Sequence, residues 1–164
     1  FSFSPRRIER EGRFECPASL LGVRTTLTGM GTGAPYRLLD ANHFAFEGTG
    51  LRPGDAFGHA ALDLRNIGIG ASGHETDRTC EHAPPGTRML AKGLNPDEGG
   101  AELVYFETTS GGAVFSTGSI SWICSLPVDD AISRITSNVV RTFTAGSNSG
   151  IKAAPWAVRE GQTT

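Results

Sequence analysis

The pattern of apolar and polar residues is clearest in the last third of the chain, where it predicts two neighbouring strands. Residues 103–106 form a short apolar run between polar residues. Ser110, Gly111 and Gly112 then supply a turn before a second apolar run at residues 113–115. So short a connection places consecutive strands side by side, and we expect the two runs to pair.

A helix is predicted shortly after Pro127. Asp129 and Asp130 are residue types that cap helices, and the apolar positions that follow recur every three or four residues, at Ile132, Ile135, Val139 and Phe143. An amphipathic helix needs an apolar surface to cover, and the predicted sheet is the nearest one. The segment therefore predicts the closing unit of a layered α/β domain.

The front half of the chain is rich in glycine and in loops. Residues 36–39 and 43–46 are predicted to form a two-stranded hairpin. Residues 48–58 hold too many Gly and Pro residues for a regular element, whereas residues 62–69 suit a further strand that runs into a glycine-rich loop. Residues 146–164 are rich in small and polar residues and are predicted to be a flexible tail.

Composition places the chain among soluble domains and argues against two classes of partner. Its 164 residues suffice for one domain with a buried core. No apolar run approaches the length that spans a membrane, and a net charge of −2 with mixed signs offers no basic face for nucleic acid. We therefore expect no membrane partner and no nucleic-acid partner.

The cysteine pattern favours a reducing compartment. Cys16, Cys80 and Cys124 are odd in number, widely spaced and without a CxxC pair, so neither a disulfide framework nor a structural zinc site is indicated. The sequence starts at Phe1 rather than Met, and its first residues show no basic-then-apolar pattern of the kind expected of a leader. We interpret it as a fragment of a larger soluble protein of the cytoplasm.

The segment GHETDR, residues 73–78, is the leading candidate for chemistry. Amide hydrolysis needs one group to deliver a nucleophile and another to protonate the departing amine, and Glu75 could serve either step if burial shifts its pKa. His74 could carry a proton or donate to an oxyanion, while Asp77 and Arg78 suit a supporting role. The alternative is a surface cluster of ion pairs that fixes a turn.

Two further groups of residues are alternative candidates for a site. His74, Glu75, Cys80 and His82 are potential metal ligands that lie close in sequence, but their spacing matches no zinc motif, so no metal ligand is predicted in this chain. His43, Phe115 and Ser119 are substrate-pocket candidates, the last two at the end of a strand expected to be central. Core packing is the alternative for His43 and Phe115.

Several separate motifs carry a resemblance to one enzyme family. YFET, GGAVFSTGSISW and ITSNVVRTF, together with HFAFEGTGLRPGDAFG from His43 and ASGHETDR from Ala71, resemble the C-terminal end of the large (beta) subunit of N,N-dimethylformamidase. The resemblance implies that residues 1–145 are a partial C-terminal domain of that subunit. It also implies the fold, an α/β architecture that forms the C-terminal portion of a glutamine-amidotransferase-like three-layer sandwich.

The resemblance further implies an iron-dependent amidohydrolase that splits a small N-substituted formamide into formate and an amine. The family holds its iron with two tyrosines and a glutamate. Tyr36 and Tyr105 lie in strand patterns that explain them as packing residues, so the iron ligands are expected upstream of Phe1. The expected partners are the missing N-terminal part of the large subunit, a possible small subunit and the amide substrate, and this chain alone is predicted to be inactive.

A second hypothesis is a structural or interaction domain that has kept the fold and lost the reaction. Thr76 and Cys80 stand where the family pattern leads us to expect an apolar β-branched residue and an acidic or aromatic one. A third, weaker hypothesis is a hydrolase that acts on sugars or on another amide, because a fold does not by itself select a substrate.

Overall fold

The structure is a computed structural model that describes residues 16–62 and 70–146. In chain order its elements are helix α1 (Ala18–Leu21), strands β1 (Arg24–Thr26), β2 (Gly33–Ala34) and β3 (Tyr36–Leu38), a 3-10 helix (Phe44–Phe46), strands β4 (Ala56–Phe57), β5 (Ser72–Gly73), β6 (Thr76–Arg78) and β7 (Arg88–Gly93), a second 3-10 helix (Pro96–Glu98), strands β8 (Glu102–Glu107) and β9 (Ala113–Ser116), and helices α2 (Ser121–Ser125) and α3 (Asp130–Gly146).

A five-stranded sheet in the order β4-β3-β7-β8-β9 organises the described residues. All of its strand pairs are antiparallel. Two smaller antiparallel pairs, β1 with β6 and β2 with β5, lie outside this sheet. Strand β8 is buried along most of its length because both of its faces are covered. Leu103 and Tyr105 join the main core, and Val104 and Phe106 lie against Gly22 at the end of α1.

The predicted hairpin near the end of the chain is confirmed. Strands β8 and β9 pair in the register Val104↔Ser116 to Glu107↔Ala113. The turn between them closes when the amide of Thr108 donates to the carbonyl of Gly112 at 2.7 Å. Strand β9, however, is an edge strand of the five-stranded sheet and not a central one, because α1 rather than a further strand lies beside it, with Ser116 Oγ donating to the carbonyl of Leu21 at 2.6 Å.

The predicted helix is also confirmed. Asp129 Oδ1 accepts a hydrogen bond from the Ile132 amide at 3.1 Å, as expected of a capping residue. Ile132 and Ile135 are fully buried, Val139 packs at the margin of the core, and Phe143 is 37% exposed. The apolar stripe therefore covers the core along the first half of the helix and reaches solvent near its end.

The hairpin predicted for residues 36–39 and 43–46 is wrong in its second half. Strand β3 pairs with β4 and β7, and residues 44–46 form a 3-10 helix. His43 Nδ1 caps this turn by accepting from the Ala45 amide at 3.3 Å. Asn138 of α3 donates to the carbonyls of Ala45 and Glu47 at 3.0 and 2.8 Å. These side chains satisfy backbone groups that a strand would have satisfied with a neighbour.

Some expectations stay untested. Residues 63–69 of the strand predicted at 62–69, and the predicted tail beyond residue 146, lie outside the described residues. The glutamine-amidotransferase-like three-layer sandwich stays a prediction, since the described part mixes helices with antiparallel sheets. The helices within residues 16–62 and 70–146 include none whose length and apolar content would allow it to cross a membrane.

The packing of α3 leads to a stability prediction. Ile135→Ala removes a fully buried side chain and is expected to lower the free energy of unfolding by about 2–5 kcal/mol. Ile123→Ala makes the same chemical change at a side chain that is 69% exposed, and it should stay within about 0.5 kcal/mol of wild type. Urea unfolding followed by circular dichroism measures both. Equal losses in the two variants would contradict the described packing of α3.

Candidate functional site

A cleft of about 260 Å³ opens between the end of α1, strand β6 and the segment that joins β9 to α2. Its polar lining consists of two carboxylate residues, Glu75 and Asp77, and three hydroxyl residues, Ser116, Thr117 and Ser119. Its apolar lining consists of Leu21, Val23 and Ile120. The cleft thus places two acids and three hydroxyl groups beside a small apolar wall.

The geometry of β6 places the two carboxylates on one side. Glu75, which directly precedes β6, and Asp77 within it both face the cleft, while Thr76 between them points inward, as expected when side chains alternate along extended backbone. Thr76 is fully buried, and its Oγ1 donates to the carbonyl of Thr28 at 2.8 Å. An apolar residue is expected at this position, and the buried hydroxyl that Thr76 brings instead has a hydrogen-bond partner inside the protein.

Asp77 lies in an environment that favours its protonated form. Burial raises the pKa of its carboxyl above the usual value of 3.8, and the negative charge of Glu75 raises it further. A hydrogen bond from the side chain of Thr25 acts in the opposite direction. The backbone of Asp77 is fixed as well, because its amide donates to the carbonyl of Gly118 at 2.7 Å. Glu75, in contrast, is exposed at the mouth of the cleft.

Arg78 points away from the cleft and holds β6 against β8. Its Nε lies 3.5 Å from Oε1 of Glu102, a residue that is 5% exposed. The other carboxylate oxygen of Glu102 accepts from the amide and the hydroxyl of Thr79, at 2.8 and 2.6 Å. The guanidinium therefore pairs with Glu102 rather than with Asp77, and this pair fixes the strand that carries the acids.

Ser119 lines the cleft, but its hydroxyl is engaged with the backbone. Its Oγ accepts from the amide of Gly73 at 2.8 Å and donates to the carbonyl of the same residue at 3.0 Å. It also accepts from the amide of Ser121 at 3.1 Å. Ser119 thus connects the β9–α2 segment to β5. Gly73 is required there, because a Cβ would come within 2.1 Å of the carbonyl oxygen of Thr32.

His74 turns the chain between β5 and β6. Its backbone is left-handed, with a φ of 69°, an unfavourable conformation for a residue other than glycine. The Thr32 carbonyl accepts from its amide at 2.9 Å, and the amide of Gly31 donates to its carbonyl at 3.0 Å. These two bonds hold the turn, so the position of His74 explains how Gly73 and Glu75 are brought opposite each other.

The other two pocket candidates lie in the core. His43 is 3% exposed and contacts the rings of Phe44 and Tyr105, with ring centroids 4.3 and 4.5 Å away. Burial, together with the nearby positive charge of Arg88, lowers the pKa of His43 to about 4. Phe115 packs at the margin of the main core, and the next residue, Ser116, faces the cleft. The core-packing alternative therefore describes both His43 and Phe115.

Comparison with known protein families shows which family the chain belongs to. Residues 6–137 match the family described as N,N-dimethylformamidase beta subunit-like, C-terminal. The chain belongs to this family. It is 34% identical over 122 residues to the N,N-dimethylformamidase beta subunit of Paracoccus aminophilus, and 33% identical over 122 residues to the protein of the same name from Alcaligenes sp. Each match covers 57% of this chain and 16% of the relative, so the chain spans a small part of the length of these proteins.

The tyrosines of this N,N-dimethylformamidase family member do not fit an iron site of two tyrosines and a glutamate. Tyr36 is fully buried, and its hydroxyl donates to the carbonyl of Thr117 at 2.7 Å. The hydroxyl of Tyr105 donates to Oε1 of Glu107 at 3.0 Å. Burial raises the pKa of both phenols, and the carboxylate of Glu107 raises that of Tyr105 further. Both phenols thus keep their protons and donate hydrogen bonds with them, whereas a metal ligand must give up its proton.

The described electrostatics predict how Asp77 titrates. Its pKa should lie above 3.8 in the folded protein, and Glu75→Gln should lower it without restoring the usual value, since burial is the larger cause. Carboxyl-carbon NMR titration measures this shift. The control is Glu47→Gln, which removes one negative charge from an exposed position outside the cleft and should leave Asp77 unchanged. A wild-type pKa at or below 3.8 would overturn the description of the site.

The same raised pKa predicts a pH-dependent stability. The folded state binds the Asp77 proton more tightly than the unfolded state, so this residue lowers stability as the pH rises from 3.8 through its folded pKa. Asp77→Asn should therefore raise the urea midpoint at pH 7, and the gain should shrink as the pH falls towards 3.8. Glu47→Gln is again the control, because it removes the same single negative charge as Asp77→Asn. A gain in Asp77→Asn that is the same at every pH would contradict this assignment.

Proposed function

We propose that this chain is the C-terminal part of an amidohydrolase that hydrolyses a small N-substituted formamide to formate and an amine. Family membership supports the class of reaction, and both relatives are named as a beta subunit of N,N-dimethylformamidase. The observation that carries the proposal is the pair of carboxylates on one side of β6, of which Asp77 has a raised pKa.

The two acids suit the two halves of amide hydrolysis. Water must lose a proton as it adds to the carbonyl carbon, and the nitrogen must gain a proton as the C–N bond breaks. Asp77 is assigned the role of proton donor, because burial and the charge of Glu75 both raise the pKa of its carboxyl. Glu75, exposed at the mouth, is placed to accept a proton from water or to orient it. In this proposal Arg78, Ser119 and His74 position the strand and take no part in proton transfer.

The size and lining of the cleft support a small substrate. Pockets for drug-sized ligands occupy roughly 300–1,000 Å³, and the cleft here measures about 260 Å³. A formamide with short N-alkyl groups has few atoms, and Leu21, Val23 and Ile120 offer an apolar wall for those groups. The carbonyl and nitrogen would then face the carboxylates across the cleft.

The iron implied by the family is proposed to be bound by residues outside this chain. Neither Tyr36 nor Tyr105 suits the ligand set, so no step within the cleft is assigned to iron. When bound, iron would supply Lewis-acid activation of water. The cleft would then have to meet the iron-bearing part of the large subunit, and a location in the cytoplasm fits the free thiols of the chain.

Exposed apolar residues around the cleft favour a second candidate function. Leu21 and Ile120, which line the cleft, are 47% and 49% exposed, and Leu20 of α1 and Ile123 of α2 are 71% and 69% exposed. Clustered exposed apolar residues of this kind mark surfaces that contact another protein segment. The alternative is therefore a structural or interaction domain that docks on the rest of the large subunit, or on a partner subunit, through this rim.

Activity measurements separate the two functions. In the intact protein, Glu75→Gln and Asp77→Asn should each lower kcat for formamide hydrolysis by about 10²- to 10⁴-fold, the usual range for lost acid–base catalysis. Iron content and subunit assembly should not change, and Glu47→Gln should keep wild-type turnover.

An opposite result would favour the interaction domain. That function predicts wild-type turnover in both carboxylate variants and loss of assembly when Leu20 and Ile123 are changed to Asp. The chain on its own is expected to be inactive in either case, so turnover by the isolated chain that Glu75→Gln abolishes would contradict the assignment of iron to residues outside it.

A further inference from the structure

Three potential metal ligands converge near the end of β6. Cys80 and His82 lie in the turn that follows this strand, and Cys16 precedes α1, 64 residues earlier in the chain than Cys80. Their donor atoms all lie within 4.8 Å of one another. His74 and Glu75, which stand close to Cys80 in sequence, are not members of this group among the described residues.

Two of the three donor–donor distances are close to those that a tetrahedral ion would impose, and the third is at most 4.8 Å. Cys16 Sγ lies 3.7 Å from Cys80 Sγ, and Cys80 Sγ lies 3.8 Å from His82 Nδ1. With Zn–S bonds of about 2.3 Å and Zn–N bonds of about 2.0–2.1 Å at tetrahedral angles, the sulfur–sulfur separation is about 3.8 Å and the sulfur–nitrogen separation about 3.6 Å. A disulfide would instead bring the sulfurs to about 2.0 Å.

We propose that Cys16, Cys80 and His82 bind a zinc ion. Two thiolates and an imidazole form a ligand set that favours a borderline-soft divalent ion over calcium or magnesium. The chain has three cysteines and four histidines, and none of the remaining ones belongs to the described group. The fourth position is then left to an oxygen ligand, water or a carboxylate. Glu81 is near, with its Oε1 3.4 Å from His82 Nδ1, but its carboxylate lies outside the group of three.

Backbone hydrogen bonds already order both segments that carry the ligands. The amide of Ala83 donates to the carbonyl of Cys80 at 2.9 Å and closes the turn that contains His82. The amide and the hydroxyl of Ser19 both donate to the carbonyl of Cys16 at 2.8 Å. Little further ordering is required for the ion to bind, which favours affinity.

The ion would connect two segments that are distant in the chain. Asp77 precedes Cys80 by three residues, and β6 pairs with β1, which follows Cys16 and α1. Because zinc binds the folded arrangement, it would stabilise this pairing by mass action. The assigned role is structural and does not depend on the function proposed for the cleft.

Cobalt substitution tests the site in the intact protein. After removal of metal with a chelator, Co²⁺ should bind at one ion per chain with a near-ultraviolet thiolate charge-transfer band and the strong visible bands of a tetrahedral complex, and Zn²⁺ should displace it. Cys16→Ser and Cys80→Ser should each abolish or greatly weaken the charge-transfer band. Cys124→Ser and His59→Ala are matched controls outside the group, and both should keep it.

A histidine variant and metal analysis test the same site independently of the cysteine variants. His82→Ala changes a side chain that is 55% exposed, so this variant should fold even if a cysteine variant does not, and its visible bands should weaken and shift. Elemental analysis should show loss of zinc without loss of iron in all three ligand variants. Unchanged cobalt spectra in Cys16→Ser or Cys80→Ser would overturn the proposal, as would a Cys16–Cys80 disulfide found by mass spectrometry of the protein purified under reducing conditions.

Discussion

The burial of one face of helix α3 is the interaction on which the rest of the structure depends. Ile132 and Ile135 are fully buried against the sheet and its neighbouring loops, and each such side chain stabilises the folded state by about 1.5–3 kcal/mol. The contact is close, since a Cβ on Gly58 would come within 3.1 Å of Ile132. Asn138 on the same helix holds the 3-10 turn through two carbonyls. One helix therefore fixes both a sheet face and a loop that has no strand partner of its own.

The cleft depends on a strand that contributes little to this core. Strand β6 is three residues long, and of these only Thr76 is fully buried. Its position is set by polar contacts: pairing with β1, the bond from the Asp77 amide to Gly118, and the Arg78–Glu102 pair. Gly118 permits this approach with a φ of 68°, because a Cβ would come within 2.6 Å of the Glu102 carbonyl oxygen. Hydrogen bonds thus decide where the carboxylates lie.

Apolar packing positions α3 and polar contacts position β6, and this difference explains how much of each could be predicted from the sequence. The β8–β9 hairpin and α3 were predictable, since their apolar periods are regular and their partners are adjacent in the chain. Residues 43–46 have a strand-like pattern, yet the cap by His43 and the contacts from Asn138 override it. The candidate segment 73–78 was predictable as a set of residue types, but the partner of Arg78 and the pairing of Thr25 with Asp77 were not. Both involve residues that are distant in sequence, and no local pattern encodes them.

The proposed zinc site also brings together residues that are distant in sequence. Spacing argues against a metal site, because His74, Glu75, Cys80 and His82 match no zinc motif, and Cys16, which meets Cys80 in space, lies 64 residues away in the chain. Strand β6 has few apolar contacts, and regions of this kind open more readily than the core does. An ion at Cys16, Cys80 and His82 would bind next to the end of this strand, where local opening is least opposed by packing. Its binding energy would then chiefly maintain the β1–β6 pair, and with it the burial that raises the pKa of Asp77.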